Sequence, residues 1–464
     1  MNKWEKMDKD YIWHPFTQMK GWVENPQLVI ERGEGVMLYD TDGKAYYDGI
    51  SSLWVNIHGH HRPEIDKAIT DQLNFIAHTT LLGLVNKPSA EFAEKLVKAT
   101  PEGLNKVFYS DDGSTAVEAA VKIAFQYWQF RGYPEKQKFI NLGDSYHGDT
   151  VGAVSVGNID VFHKAYKPLL FATQKISCPS FYHSRVEGIK NEAEYLAYLL
   201  EELEHFLQKN AYKIAAMIIE PLVQAAAGML MQPKGYIRGV RELTKKYNVL
   251  LIVDEVATGF GRTGKMWACD NENVCPDIMT LSKGITGGYL ALGATMTTDE
   301  IYNAFLGEPT EYKTFYHGHS YTGNNLACAA GLASMEIFKK DNVIENLSPK
   351  IEIIAKYMKK INEMKYVGDA RQCGMLAGIE LMQDKEKKVP FETSMQLAGG
   401  ICQIARSHGL IVRNIGDVII FMPPLVSTTE QIEDMLNRLE EAMKEVFNKV
   451  GNGQHYSDPW DDLK

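Results

Sequence analysis

Short apolar runs that end in a charged residue alternate with amphipathic stretches through the middle of the chain. "KIAAMIIE" (213–220), "NVLLIVDE" (248–255) and "DIMTLSK" (277–283) are too short for helices and lack polar alternation, so they read as strands buried on both faces. Between the first two, "YIRGVRELTKKY" (236–247) spaces its apolar residues at the helical period. This alternation predicts an α/β fold with a largely parallel sheet and helices on both faces. Ligands bind such sheets in the crevice outside the carboxyl ends of the strands. Glu220, Asp254 and Lys283 stand at three such ends, so one site can meet all three.

The two ends of the chain follow another pattern. "GVMLYDTDGKAYYDGI" (35–50) predicts two strands around an Asp42-Gly43 turn. Beyond about residue 336 come amphipathic helices such as "IEIIAKYMKKINEM", short strands near "MLAGIEL" and "LIVRNIGDVIIFMPP", and a last helix over 429–448. We therefore expect a large domain over 66–335 and a small α+β domain assembled from 1–65 and 336–464. The polar tail "GNGQHYSDPWDDLK" is expected to be a loose end or a surface wrap.

Charge and composition narrow the function classes. The net charge is −10 and no Lys/Arg block stands out, which argues against a nucleic-acid partner. The charged start "MNKWEKMDKD" has no apolar signal core. No run of about 18 apolar residues predicts a membrane span. Six cysteines are scattered and never at CxxC spacing, which fits free thiols in a cytoplasmic protein.

"LLIVDEVATGFGRTGK" (250–265) carries two nucleotide-like spacings, a strand ending in acids and a glycine loop ending in lysine. Geometry rejects the hydrolase reading, because the acid strand and the phosphate loop would have to be one strand, and Met266 stands where the magnesium-binding Ser or Thr is needed. The dinucleotide reading lacks its helix, since "KMWACDNENVCPD" is turn-rich. Lys283, one strand further on, gives Asp254 a different purpose. A lysine desolvated at a strand end is a usable amine nucleophile, and a buried aspartate can pair with a protonated ring nitrogen. Together they suit pyridoxal 5′-phosphate. Gly113 and Ser114 open a helix in "SDDGSTAVEAAVKIAFQYW" (110–128), whose free N–H groups suit a phosphate. Tyr146, in "SYHGDT", can stack on a pyridine ring, with His147 and Gly148 leaving room. Histidines 58, 60, 61, 317 and 319 invite a metallohydrolase reading, but no carboxylate cluster completes a ligand shell, and we expect no metal.

Taken in order, "SYHGDT", "VDEVATGFGRTG", "SKGITGG" and "HGHSYTGNNLACAA" resemble the class III aminotransferases, pyridoxal phosphate enzymes of fold type I, over essentially the whole chain. "WHPFTQM" (13–19) and "DGISSLWVNIHGHHRPE" (48–64) narrow the resemblance to the branch that aminates 8-amino-7-oxononanoate in biotin biosynthesis. The resemblance implies a mainly parallel seven-stranded sheet in the large domain and a homodimer with shared active sites. It implies that Lys283 holds the cofactor covalently and shuttles a proton, that Asp254 pairs with the pyridinium, that Gly113 and Ser114 bind the phosphate, and that Tyr146 and Val256 cover the two ring faces. Gly318, His319 and Ser320 would reach into the partner's site, Ser320 donating to the phosphate there. Arg413 would clamp the substrate carboxylate, Trp54 and Phe16 would wall its alkyl chain, and Asp149 would orient its amine. Glu220 matches an acid near the active site with no assigned role.

Two departures bear on the amino donor. Members that use S-adenosylmethionine typically show Trp-Trp where this chain has Leu53-Trp54, and Tyr where it has Phe16. Members that use lysine resemble this chain at both places, so the donor is S-adenosylmethionine or L-lysine. A third departure is Asp112, where Ser is common; its carboxylate is expected to turn from the phosphate and cap the helix. Alternatives within the fold are an aminotransferase for another ω-amine, a decarboxylase or an aminomutase.

Overall fold

Residues 2–451 are described by a computed structural model; the polar tail beyond them lies outside the described residues. The central element is a seven-stranded sheet in the spatial order Leu104–Ser110, Gly293–Thr298, Ile278–Leu281, Leu250–Asp254, Ile214–Ile219, Lys138–Leu142, Gln174–Ile176. The strands from Ile278 across to Gln174 run parallel. Gly293–Thr298 is antiparallel to both its neighbours. The three apolar runs of the sequence are thus adjacent strands, every residue of which is buried.

Helices cover both faces. Gly113–Phe130 buries Val117, Val121, Ala124 and Trp128 against one face. The Trp128 indole donates to the Ala215 carbonyl at 2.8 Å, tying this helix to the Ile214 strand. Glu192–Asn210 and Tyr236–Lys246 bury Leu199, Leu203, Ile237 and Val240 in the core on the other.

The chain ends build two smaller sheets. Ile30–Glu34, Met37–Asp40 and Ala45–Asp48 form a meander, and Leu410–Ile411 joins it in parallel beside Tyr47 and Asp48. Val367–Cys373, Leu376–Leu381, Val418–Phe421 and Arg413–Ile415 form an antiparallel sheet. "LIVRNIGDVIIFMPP" therefore divides between two sheets on either side of the buried Val412. The last helix runs Thr429–Gly451, three residues beyond its expected end.

Lys136 has a structural task at the amino end of the parallel sheet. It is buried, its ammonium donates to the carbonyls of Ala211, Ile214 and Asn248 at 2.7–3.0 Å, and it lies 4.3 Å from the centre of the Trp128 ring. One cation thus satisfies carbonyls at the entry to two neighbouring strands, and burial lowers its pKa to about 8. Lys136→Met keeps the apolar stem and removes every donor. The expected loss is roughly 2–4 kcal/mol of unfolding free energy, read from the denaturant midpoint at unchanged slope; a change within about 0.5 kcal/mol would show that water replaces the ammonium.

Candidate active site

Three strand ends and one helix start surround a cavity of about 700 Å³. Glu220, Asp254 and Lys283 line it from the carboxyl ends of the three adjacent strands. Gly113 and Ser114 line it from the helix start, and Tyr146, Asp149 and Val256 from loops that follow strands. Leu53 and Trp54 close it from the N-terminal segment.

Asp254 is held from three sides. It is buried and accepts the Thr280 hydroxyl (3.0 Å) and the Val256 amide (3.1 Å) at one oxygen and bonds His147 Nδ1 (2.8 Å) at the other. Three partners leave one of the roughly four acceptor directions of a carboxylate free. Lys283 sits in a left-handed conformation (φ 45°) at the end of its strand, with its ammonium 4.8 Å from the Trp54 ring centre. Burial lowers its pKa, opposed by the charges of Asp254 and Glu220. Its neutral amine is thereby more accessible than that of a surface lysine.

The helix start is shaped for close approach. A Cβ on Gly113 would lie 2.6 Å from a Val256 methyl, so no larger residue fits without displacing Val256 from the cavity wall. Asp112 caps the helix as expected, accepting from the Thr115 amide at 2.8 Å, with the Thr115 hydroxyl returning a bond to the Asp112 amide. The Ser114 hydroxyl pairs with Thr150 (2.9 Å), which leaves backbone amides as the donors at the helix start.

Tyr146 is anchored at both ends. Its amide donates to Glu220 (3.0 Å) and its hydroxyl to Asp149 (2.6 Å). Glu220 also accepts the Ala225 amide at 3.0 Å. Burial raises its carboxyl pKa to about 7. His147 was read from sequence only as leaving room for the ring. Its bond to Asp254 crosses 107 positions, and no local pattern announces it. Its other ring nitrogen is buried, with no hydrogen-bond partner among the described residues.

Other expected site residues lie elsewhere. Phe16 is exposed and does not line the cavity, but its ring stands 5.3 Å from Phe162, which is 6.1 Å from Tyr146. Arg413 is partly buried, away from the lining, and among the described residues no carboxylate pairs with it. Gly318, His319 and Ser320 lie on a largely exposed segment outside the cavity. Of the histidines of the metal reading, His58 pairs with Ser334, His60 with Asp48 and His61 with Asp66, while the His317 and His319 rings meet edge to face at 5.2 Å. Among the described residues no group of three or more His, Cys, Asp or Glu is placed to hold a metal ion, and no helix is long and apolar enough to cross a membrane.

A lysine amine of lowered pKa, a buried carboxylate with a free acceptor direction, and a helix start on one cavity fit the chemistry of pyridoxal phosphate. Residues 18–443 match the family model for aminotransferase class-III, and the chain belongs to that family, whose members use pyridoxal 5′-phosphate. It is similar to the adenosylmethionine-8-amino-7-oxononanoate aminotransferases of Anoxybacillus flavithermus (51% identity, 97% of this chain, 98% of that one) and Aquifex aeolicus (52%, 96% and 98%). Among solved structures it resembles the enzyme of that name from Methanocaldococcus jannaschii (48% identity, TM-score 0.90, 95% of this chain, 98% of that one). It also resembles the omega transaminase of Pseudomonas jessenii in complex with PMP (30% identity, TM-score 0.93, 97% and 100%).

The shift of Glu220 gives a pH test. Its folded pKa (about 7) lies above the ordinary value (4.5), so its contribution to stability is complete below pH 4.5 and is lost as pH rises through 7. Across that window this one group should cost up to about 1.4 kcal/mol per pH unit. Glu220→Gln should flatten the fall by that amount in denaturant titrations of the cofactor-free protein. An unchanged slope would mean that the carboxyl titrates normally.

Proposed function

We propose that this chain transfers an amino group to 8-amino-7-oxononanoate, forming 7,8-diaminononanoate in biotin biosynthesis, as a cytoplasmic homodimer. The observation that carries the reading is the meeting of Lys283, Asp254 and the Gly113–Ser114 helix start in one cavity, joined to the likeness to relatives of that name over nearly the whole chain. The six free cysteines support a reducing compartment. The exposed Gly318–Ser320 segment, set apart from its own cavity, supports sharing between subunits, with His319 and Ser320 serving the partner's cofactor.

Pyridoxal phosphate, when bound, supplies an aldehyde for the migrating amine and a ring that withdraws electrons from the bond being broken. Lys283 would hold it through Nζ and, once its amine is free, would be placed to take a proton from the amine-bearing carbon of the donor. Asp254, oriented by His147 and Thr280, would offer its free acceptor direction to the ring nitrogen and favour its protonated form. Gly113 and Ser114 would offer amides to the phosphate, and Tyr146 and Val256 would cover the two faces of the ring. Trp54 and Phe16 would shape the path of the alkyl chain, Asp149 would orient the substrate amine, and Arg413, which pairs with no carboxylate among the described residues, would receive that of the substrate.

Borohydride added after pyridoxal phosphate should fix a pyridoxyl mass on Lys283, and Lys283→Ala should take up no label and show no transamination. A label mapped to another lysine overturns the assignment.

Leu53 lines the cavity where an adenine-stacking Trp would serve adenosylmethionine, and Phe16 carries no hydroxyl. We therefore expect lysine to be at least a competent donor, converting the cofactor to pyridoxamine phosphate. Leu53→Trp with Phe16→Tyr should shift preference to adenosylmethionine by roughly three- to thirtyfold, the value of one stacked cationic contact. Conversion by adenosylmethionine alone would show that positions 16 and 53 do not set the donor.

A further inference from the structure

The wall that carries Leu53 and Trp54 is held in a conformation its residues resist. Ser51, Ser52 and Trp54 have φ of 52°, 62° and 66°. Ser52, with ψ −87°, falls in the sparsely populated γ-turn region. Such a backbone persists only where its surroundings over-determine it, and here they converge on one carboxylate. Asp48 is fully buried at the end of its strand. Both its oxygens accept the Ser52 amide at 2.9 Å, and one bonds His60 Nε2 at 2.9 Å. His60 is itself pinned, pairing its backbone with Gly35 in both directions. The far end of the segment is tied by the buried Arg262, which donates to the Asn56 carbonyl (2.8 Å) and the Pro423 carbonyl (2.7 Å). Ser51 donates its hydroxyl to the Met422 carbonyl at 2.7 Å.

We propose that Asp48 is a positioning residue for substrate selection: through the Ser52 amide it holds the strained 51–54 turn so that Leu53 and Trp54 face the cavity. The proposal rests on the function proposed above. Asp48 does not line the cavity and acts only through the wall. A neutral acceptor there makes a weaker bond to the Ser52 amide, and the turn relaxes toward ordinary dihedrals. Trp54 then leaves its place beside Lys283, and the long-chain substrate loses its wall while the reacting groups stay in place.

Two readouts on cofactor-loaded enzyme test this. In Asp48→Asn, hydrogen exchange at the Ser52 amide should quicken about tenfold or more, with the Ala45–Tyr47 amides unchanged. The KM for 8-amino-7-oxononanoate should rise about tenfold while kcat changes less than about twofold, the pattern of lost uniform binding. Adding Ser52→Gly, which accepts the positive φ without strain, should return KM to within about threefold of wild type. Should Asp48→Asn not fold, His60→Gln loosens the same carboxylate from its more exposed side and should shift exchange and KM in the same direction. Unchanged exchange, a parallel fall in kcat, or no recovery with Ser52→Gly overturns the proposal. Wild-type enzyme that does not aminate 8-amino-7-oxononanoate would overturn the function instead, and the exchange arm, which needs no substrate, would still judge Asp48.

Discussion

A carboxylate stripped of water at the end of a buried strand must be repaid in hydrogen bonds, and the site is arranged around how Asp254 meets that demand. Its partners come from three places: Thr280 on the next strand, Val256 in its own turn, and His147 on a loop across the crevice. Each bond fixes an element as well as a charge. Thr280 aligns the strand that ends at Lys283, Val256 sets the turn that packs on Gly113, and His147 places the loop that carries Tyr146. Removing the carboxylate would unhook all three walls at once.

Glu220 repeats the device with another balance. It accepts two backbone amides, and the charge of nearby His147 only partly offsets its burial, so burial dominates and its carboxyl titrates near neutrality. Two acids on neighbouring strands thus differ in their surroundings: Asp254 is bonded by two side chains and one amide, Glu220 by amides. The same lining therefore holds one acceptor with a free direction and one acid able to trade its proton near physiological pH.

What the sequence made legible follows from range. Runs such as "NVLLIVDE" are buried on both sides, so their composition alone marks them, and the crevice rule then brings Glu220, Asp254 and Lys283 together. Asp112 could be read as a cap because a cap is a four-residue affair. Gly293–Thr298 escaped notice because "GATMTT" mixes small and polar residues that the sheet buries all the same. The His147–Asp254 bond and the Asp48–Ser52 clamp were out of reach for different reasons. The first joins distant positions, and the second depends on dihedrals that serine and tryptophan seldom adopt. Arg413 was singled out only by resemblance, since a lone arginine in a short strand looks like any other, and it lies away from the cavity lining.

The reversed strand Gly293–Thr298 has a consequence for how the site can vary. A parallel connection would carry the chain from the end of Ile278–Leu281 back to the opposite edge of the sheet. The antiparallel return instead keeps residues 282–292 at the crevice as a hairpin, and Gly288, Tyr289 and Leu292 line the cavity from it. A hairpin can gain or lose residues at its tip while the strands on either side keep their register. Cavity depth on this side is thus set by a hairpin whose Gly288 lies so close to the Val55 and Asn56 backbone that a Cβ there would meet it at 2.8–2.9 Å, so a change at the tip would be felt first by the wall that carries Leu53 and Trp54.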